Sequence, residues 1–287
     1  MSWHHIRNVD FWKRIYSKAK FGLFGSPISH SKSPALFSAG YGDSLHTYSL
    51  FETATADEAI ELFRSSDILG ANVTSPFKDK VMEHVTLPDR ISSLLGSANV
   101  LIKDYSGADG KLQIRSYNTD YYGVKNTIGE FLSKSELLPD ALHSDGIKKV
   151  AVVGAGGAGK AATLAMCDAG HQVSLINRSA GRVAEFAAAV GAVYVPLAEV
   201  AECLSDADIV IYSLSFLVPQ LEGFDFSKKI VFEANYANAA LSPEKGVKSG
   251  LYIDGRYWLY HQAIPAFELF TGCLPNTLEM RKVMGIE

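Results

Sequence analysis

Short apolar runs alternate with helical spacings along the first half of the chain. The runs bounded by turn residues predict four strands, at Phe21–Gly25, Thr47–Phe51, Leu69–Thr74 and within Leu94–Lys103. Helices are predicted over 35–41 and 55–66, where apolar residues recur at helical spacing. Because strands alternate with helices, we expect an α/β fold with a parallel or mixed sheet.

A second strand–helix pattern repeats from Lys148 onward. Its apolar runs predict five further strands, at Val150–Val153, Val173–Ile176, Val193–Val195, Ile209–Tyr212 and Ile230–Glu233. A connecting helix is predicted over 120–133, and the polar, turn-rich residues 140–146 indicate a boundary between two domains. We expect a last helix, over 259–270, to return to the first domain and close a cleft.

A glycine-rich turn joins the first strand of this second pattern to an alanine-rich helix. Its spacing, Gly-x-Gly-x-x-Gly, is that of a dinucleotide fingerprint, in which the glycines allow a tight turn, approach of a pyrophosphate and close helix packing. The start of the helix offers unpaired N–H groups to phosphates. The alternative is a turn without a ligand. The residues predicted to bind the cofactor here are Gly154, Ala155, Gly156, Gly157 and Ala158.

The end of the next strand indicates which dinucleotide would bind. NAD sites usually carry an acidic residue there, whereas an arginine suits the 2′-phosphate of NADP. Here the strand runs into Asn177, Arg178 and Ser179, and Arg182 follows. A guanidinium can hold phosphate oxygens in bidentate fashion. We therefore expect NADP rather than NAD; the alternative is a pair of solvated surface arginines.

Composition narrows the function classes. The 287 residues are enough for two domains, and 47% of them are apolar. A formal net charge of −4 argues against a nucleic-acid partner, which would favour a basic chain. The three cysteines, Cys167, Cys203 and Cys273, are widely spaced, which indicates neither a zinc knuckle nor a disulfide framework. We expect no metal and a reducing, cytoplasmic setting.

Residues 1–20 are predicted to be an N-terminal extension. They lack an apolar core of signal-peptide length, and no stretch of the chain is apolar enough to span a membrane. Trp12, Ile15, Tyr16 and Ala19 recur at helical spacing, which favours a short docking helix over a membrane-surface anchor.

Five ordered segments together carry a family resemblance. The chain resembles shikimate dehydrogenases in Gly25–Pro34, Gly70–Lys78, Asn118-Thr119-Asp120 with Gly123, the glycine turn with 177–179, and Gln262-Ala263 with Thr271-Gly272. The resemblance implies two domains around a cleft: an α/β/α substrate domain, 21–125 with 259–287, and a Rossmann-type NADP domain, 126–258. It also implies hydride transfer between NADPH and 3-dehydroshikimate to give shikimate, a step toward chorismate and the aromatic amino acids.

The resemblance also implies residue roles. Lys78 would exchange a proton with the substrate hydroxyl, and Asp120 would be the partner of this lysine. Without the resemblance, the Pro-Phe-Lys segment would indicate only a solvated lysine. Ser31 and Ser33 would hold the substrate carboxylate with Tyr236 as a third donor; the alternative is a serine-rich turn with Ser33 capping a helix. The residues expected around the ring are Thr74, Asn99, Asp120 and Gln262, with Asn72 as a brace, and those expected at the nicotinamide are Ser213 and Tyr257.

Several positions depart from the family pattern near the nicotinamide. Tyr212 and Leu214 fall in a segment where the family has smaller or polar residues, and Tyr257 and Trp258 are also larger than usual. We expect this bulk to reshape the nicotinamide pocket and weaken NADP⁺ binding. A quinate/shikimate dehydrogenase and a non-catalytic sensor of NADP or a cyclic acid are the competing functions. The expected partner is a small-molecule substrate, and the expected assembly is a monomer or a homodimer.

Overall fold

The computed structural model describes residues 18–42, 44–134 and 146–286. The chain divides into two compact units, the first comprising Met1–Thr119 and Gln262–Glu287 and the second Asp120–His261. The predicted docking helix at Trp12, Ile15 and Tyr16 lies outside the described residues, as does nearly all of the boundary predicted at 140–146.

The first unit is built on a mixed six-stranded sheet in the order β2-β1-β3-β5-β6-β4. Strand β1 is parallel to β2 and β3, whereas β5 is antiparallel to β3 and β6. The strands are β1 Lys20–Gly25, β2 Thr47–Glu52, β3 Ile68–Val73, β4 Leu87–Pro88, β5 Val100–Asp104 and β6 Gln113–Tyr117. The helices of this unit are α1 Ser33–Tyr41, α2 Ala56–Ser65, α3 Arg90–Leu95, the later part of α8 Gly255–Thr271, and α9 Thr277–Met284.

Helices cover both faces of this sheet. On one face the ring of Phe21 stacks on Phe270 of α8, with centroids 4.9 Å apart. On the other face Phe24 meets Phe63 of α2, with centroids 6.2 Å apart. Side chains alternate between faces along a strand, so one apolar strand supplies both layers. This three-layer α/β/α arrangement confirms the predicted fold class of the first unit.

The second unit is built on a six-stranded sheet, parallel throughout, in the order β12-β11-β10-β7-β8-β9. Its strands are β7 Lys149–Val153, β8 Gln172–Asn177, β9 Val193–Pro196, β10 Ile209–Tyr212, β11 Phe226–Glu233 and β12 Ser249–Ile253. Its helices are α4 Asp120–Leu132, α5 Gly157–Asp168, α6 Arg182–Val190, α7 Val200–Asp206 and the start of α8. Numbered within the sheet, the order is 3-2-1-4-5-6, the dinucleotide-binding arrangement. The predicted Rossmann-type fold is confirmed.

The two central strands of the second sheet are apolar along most of their length. Residues 150–153 and 209–212 are all buried, because helices lie on both faces of a parallel sheet. The strand order reverses between β7 and β10, and ligands of such sheets bind at that point, beyond the carboxyl ends of the strands. The fold therefore directs attention to the residues that follow Val153 and Tyr212.

Two buried lysines hold the ends of helices. The Lys103 ammonium donates to the backbone carbonyls of Arg64 and Ser66 at the end of α2. Lys229 donates in the same way to the carbonyl of Ala207 at the end of α7. Burial lowers the pKa of both lysines. Cations at these positions satisfy the last carbonyl groups of a helix and complement its dipole.

The sequence pattern misplaces or omits several elements. The strand predicted within Leu94–Lys103 begins only at Val100, because residues before Leu95 form α3 and Gly96 ends that helix in the left-handed conformation, at φ 60°. The prediction also omits β4, β6, β12 and α9. Strand β12 lies at the sheet edge and is fully buried only at Ile253, so its hydrophobic signal is weak.

Candidate active site

The glycine turn of the second unit closes tightly between β7 and α5. Gly154 has φ +97°, a conformation that favours glycine. A Cβ added at Gly159 would lie 1.8 Å from the carbonyl oxygen of Gly154. A Cβ added at Gly156 would meet nothing within 4 Å. The first and third glycines are therefore required by the turn itself, whereas the second leaves open space.

That open space has the chemistry of a phosphate cradle. Helix α5 begins at Gly157, and its N-cap residue, Gly156, supplies no side-chain cap. The first N–H groups of the helix thus have no side-chain cap, and they form the positive end of the helix dipole. Ala155 and Ala158 are half-buried beside them. This arrangement fits the pyrophosphate of a dinucleotide.

The segment after β10 packs against the same turn. The Ser213 hydroxyl donates to the Val153 carbonyl at 2.9 Å, and a Cβ at Gly154 would meet the Leu214 side chain. Ser213, predicted at the nicotinamide, therefore also fastens the end of β7. The ring of Tyr212 lies in the core, fully buried, and its hydroxyl donates to the Phe216 carbonyl at 2.8 Å.

For Tyr212 the expectation of added bulk at the nicotinamide is wrong, because the parallel strand directs its ring inward. Trp258 is likewise buried and packs on Phe232, with centroids 5.4 Å apart. The ring of Tyr257 packs edge-on against the ring of Phe131, with centroids 4.9 Å apart, and Tyr257 is half-buried. Much of the unusual aromatic bulk therefore serves packing within the second unit.

The end of β8 presents two cationic side chains. Arg178 and Arg182 are both exposed, and Arg182 is the first residue of α6. The Asn177 amide donates to the Ser179 carbonyl at 3.1 Å, so this turn is internally braced. The Tyr194 hydroxyl of β9 donates to the carbonyl of Asn177, which fixes the strand end from the other side. The guanidinium groups are placed to meet an anion in solvent.

In the first unit, three buried polar side chains form a closed network. The Asn99 amide donates to Thr119 Oγ1 at 3.0 Å and to Gln262 Oε1 at 3.1 Å. The backbone N–H of Thr119 donates to Asn99 Oδ1 at 2.7 Å, and its hydroxyl donates to Gln262 Oε1. Since both amide oxygens accept within the network, it fixes the orientation of both amides.

A second chain of hydrogen bonds runs from Tyr48, near the predicted carboxylate ligand Ser33, to the backbone of Asn99. The Tyr48 hydroxyl donates to Asn72 Oδ1 at 2.8 Å, and the Asn72 amide donates to the backbone carbonyl of Asn99 at 3.1 Å. Burial holds the pKa of the Tyr48 hydroxyl well above its usual value, and the nearby Ser33 side chain opposes this rise in part. Asn72 therefore links the Ser33 side of the site to the amide network.

The serine-rich loop before α1 folds back on itself. The N–H of Ser33 donates to Ser31 Oγ at 3.2 Å. Helix α1 begins at Ser33, and its N-cap is Lys32, without a side-chain cap. The alternative in which Ser33 caps this helix is therefore wrong.

The segment carrying Lys78 is fixed through its backbone. The N–H of Thr74 donates to the Phe24 carbonyl, and the N–H of Ala98 donates to the Lys78 carbonyl at 2.8 Å. Phe77 is buried beside them, whereas Lys78 is half-buried. The backbone of Lys78 is thus held by Ala98, the residue that precedes Asn99, near the start of β5.

Asp120 opens the second unit as the first residue of α4. Only 6% of it is exposed. A carboxylate in the first turn of a helix is favoured by the helix dipole.

Comparison with known proteins assigns the family. The model of the shikimate dehydrogenase substrate binding domain matches residues 23–101, and that of shikimate/quinate 5-dehydrogenase matches residues 137–226. A shikimate dehydrogenase (NADP⁺) of Halobacterium salinarum is 32% identical over 277 residues, covering 92% of this chain and 97% of the relative. The chain belongs to the shikimate dehydrogenase family.

Solved structures of the family have the same fold. A crystal structure of Mycobacterium tuberculosis shikimate dehydrogenase is 25% identical, covers 93% of this chain and 98% of its own, and superposes with a TM-score of 0.76. A Thermus thermophilus shikimate 5-dehydrogenase in complex with shikimate is also 25% identical, with the same coverage and a TM-score of 0.70. The predicted resemblance is confirmed.

Two residues of the polar networks are absent from the predicted site. Tyr48 lies in a strand of alternating pattern, where an aromatic residue signals only packing. Thr119 lies within the Asn-Thr-Asp motif, so the motif was the signal that could have identified it. Both roles depend on partners distant in sequence, which periodicity does not report.

Within the part of the chain that the structure describes, no three His, Cys, Asp or Glu side chains are grouped to hold a metal ion. No described helix combines the length and apolarity needed to cross a membrane.

Proposed function

We propose that this protein is an NADP-dependent shikimate dehydrogenase, which interconverts 3-dehydroshikimate and shikimate. The observation that carries the proposal is the amide network of Asn99, Thr119 and Gln262 joined to Asn72 beside the fixed segment of Lys78. A polyhydroxylated ring needs several oriented donors and acceptors. The relative from Halobacterium salinarum, similar along nearly its whole length, carries that activity in its name.

The first unit would bind the substrate. Ser31 and Ser33 would hold its carboxylate with Tyr236, and Asn72 would brace them through Tyr48. Thr74, Asn99 and Gln262 would orient the ring hydroxyls. In this proposal the residues around the substrate are neutral donors and acceptors, apart from Lys78 and Asp120.

The second unit would bind NADP. The backbone of Gly154–Ala158 would take the pyrophosphate, and Asn177, Arg178, Ser179 and Arg182 would take the 2′-phosphate. The space above Gly156 fits this assignment. Bound NADPH supplies the hydride. Ser213 and Tyr257 would border its nicotinamide.

Lys78 would move the proton. During reduction its ammonium donates to the oxygen that becomes the hydroxyl, and during oxidation the neutral amine accepts that proton. Asp120 would hold the lysine and a ring hydroxyl. Positioned acid–base groups contribute roughly 10²- to 10⁴-fold in rate.

The test is NADPH absorbance with shikimate and NADP⁺, repeated with quinate and with NAD⁺. We expect turnover with the first pair and a loss of roughly 10²- to 10⁴-fold in kcat for Lys78→Met, with little change in KM. Lys80→Met, an exposed lysine two residues away, is the matched control. An unchanged kcat in Lys78→Met would refute the role of this lysine, and turnover with quinate alone would refute the substrate.

The assembly and the setting are part of the same proposal. We expect a monomer or a homodimer, which light scattering of the purified protein distinguishes. We also propose a reducing, cytoplasmic compartment, since Cys167, Cys203 and Cys273 are free thiols.

A further inference from the structure

The loop that follows β11 carries Tyr236 and has no regular structure. Residues 234–242 form neither helix nor strand. Tyr236 is half-buried within it. A loop of this kind has many accessible conformations unless side chains hold its backbone. Two polar side chains at its start, those of Glu233 and Asn235, do so.

Glu233 ends β11 and is completely buried. Its carboxylate accepts hydrogen bonds from the backbone N–H groups of Ala240 and Leu241, the latter at 3.1 and 3.2 Å. It also accepts from the Tyr252 hydroxyl of β12 at 2.9 Å. One side chain therefore ties the beginning of the loop to its far end and to the neighbouring strand.

Hydrogen bonds to Asn235 and to β10 hold the first half of the loop backbone. Asn235 Oδ1 accepts from the N–H groups of Ala237 and Asn238, at 3.1 and 3.0 Å. The N–H of Ala234 donates to the Tyr212 carbonyl of β10 at 2.8 Å. Tyr236 thus lies within the turn that Asn235 holds, in a loop whose two ends are joined by the Glu233 carboxylate. These hydrogen bonds restrict the backbone on both sides of Tyr236.

A buried carboxylate is an unusual choice for this position. Carboxylates are rarely fully buried unless they are paired or hydrogen-bonded. An apolar residue would leave the N–H groups of Ala240 and Leu241 without an acceptor, and the loop would have to open toward water to satisfy them. The carboxylate therefore supplies the acceptor that holds the two ends of the loop together.

We propose that Glu233 is a positioning residue for substrate binding, whose carboxylate fixes loop 234–242 so that the Tyr236 hydroxyl is held at the substrate carboxylate. This inference rests on the proposed function, which assigns Tyr236 as a donor to shikimate. Glu233 itself does not touch the substrate. It acts through Tyr236, so its removal should weaken substrate binding more than turnover.

The first test compares three variants of the full chain. Glu233→Leu should raise KM for shikimate by about tenfold or more, with kcat and KM for NADP⁺ changed by less than about threefold. Glu233→Gln should stay close to wild type, because its oxygen can accept from both N–H groups and its amide can donate to Tyr252. Lys229→Met, which removes a buried charge four residues earlier in the same strand, should lower stability and leave KM unchanged.

The second test asks whether the effect passes through Tyr236. In a Tyr236→Phe background, Glu233→Leu should add no further rise in KM, because contacts that act in series are not additive. Tyr252→Phe removes one donor to Glu233 without opening the whole loop, and it covers the case in which Glu233→Leu does not fold. It should raise KM less than Glu233→Leu, and again only when Tyr236 is present.

The outcomes are distinct. Unchanged KM values for Glu233→Leu and Tyr252→Phe, or additive effects with Tyr236→Phe, would overturn the positioning role while the wild-type activity stands. A wild-type protein without turnover on shikimate would overturn the proposed function, and the inference with it.

Discussion

A methyl group on Gly159 would lie 1.8 Å from the carbonyl oxygen of Gly154. This approach brings the first turn of α5 against the end of β7. It is possible only without a side chain at Gly159. Gly154 and Gly159 thus set the geometry of the turn, and Gly156 between them leaves the room that a pyrophosphate needs.

Alanine substitutions should separate these two roles. Gly156→Ala should fold with near wild-type stability, because its Cβ meets nothing, yet bind NADP⁺ more weakly by about tenfold or more, since the methyl fills the cofactor space. Gly159→Ala should lower stability as well, because the clash is with backbone. Gly129→Ala, an open position inside α4, is the control and should gain about 0.5–1 kcal/mol.

Thermal melts and NADP⁺ titrations on the three variants provide the check. If Gly156→Ala binds NADP⁺ as tightly as wild type, the cradle is assigned to the wrong glycine.

Removing the Tyr48 hydroxyl should disturb the substrate side of the first unit. Tyr48→Phe deprives Asn72 Oδ1 of its donor, and Asn72 is itself buried. We expect a loss of about 1–3 kcal/mol in the free energy of unfolding and a higher KM for shikimate. Tyr105→Phe, at a residue that is 44% exposed, should change neither. Denaturant unfolding combined with initial rates tests this; a stable variant with wild-type KM would contradict it.

Thr119 is expected to act through its hydroxyl. Thr119→Val keeps the N–H bond to Asn99 but removes the hydroxyl that accepts from the Asn99 amide and donates to Gln262. If the substrate binds more weakly by about 1–2 kcal/mol because the network no longer orients Asn99 and Gln262, KM for shikimate should rise roughly 5- to 30-fold. The control is Thr127→Val, since that buried hydroxyl serves only the Gly123 carbonyl of its own helix. Equal KM values for the two variants would show that the network has no part in binding.

The buried Lys103 predicts a stability trend at alkaline pH. Burial lowers its pKa in the folded state below 10.5, so in the window beneath 10.5 the unfolded chain binds more protons than the native one. The stability contributed by this group therefore rises with pH through that window and is lower at neutral pH. Relative to Lys103→Met, the wild type should gain stability between pH 9 and pH 10.5. Urea midpoints of both proteins across this range test the sign, and a constant difference would disprove it.

The residues proposed to bind the cofactor, at the carboxyl ends of the strands of the second sheet, can largely be predicted from local sequence. An apolar run, the Gly154–Gly159 spacing and the arginines after β8 identify a dinucleotide turn because each signal lies within a few residues. Ile209–Tyr212 has the same bounds in the pattern and in the structure. By contrast, the hydrophobic pattern does not predict in which direction the Tyr212 side chain points. Its residue type predicts added bulk near the cofactor, whereas in the structure its ring packs in the core.

The amino-acid sequence alone was enough to predict the alternation of strands and helices, the cofactor turn and the family to which the five ordered motifs belong. These depend on periodicity and on short motifs, which are local. The folded chain adds three relationships that could not be predicted from the sequence. Tyr48 and Thr119 join the polar networks, Glu233 ties both ends of a loop, and β5 runs antiparallel to β3. Those relationships pair residues from different strands and helices, and the packing that selects such partners leaves no mark on the spacing of either one.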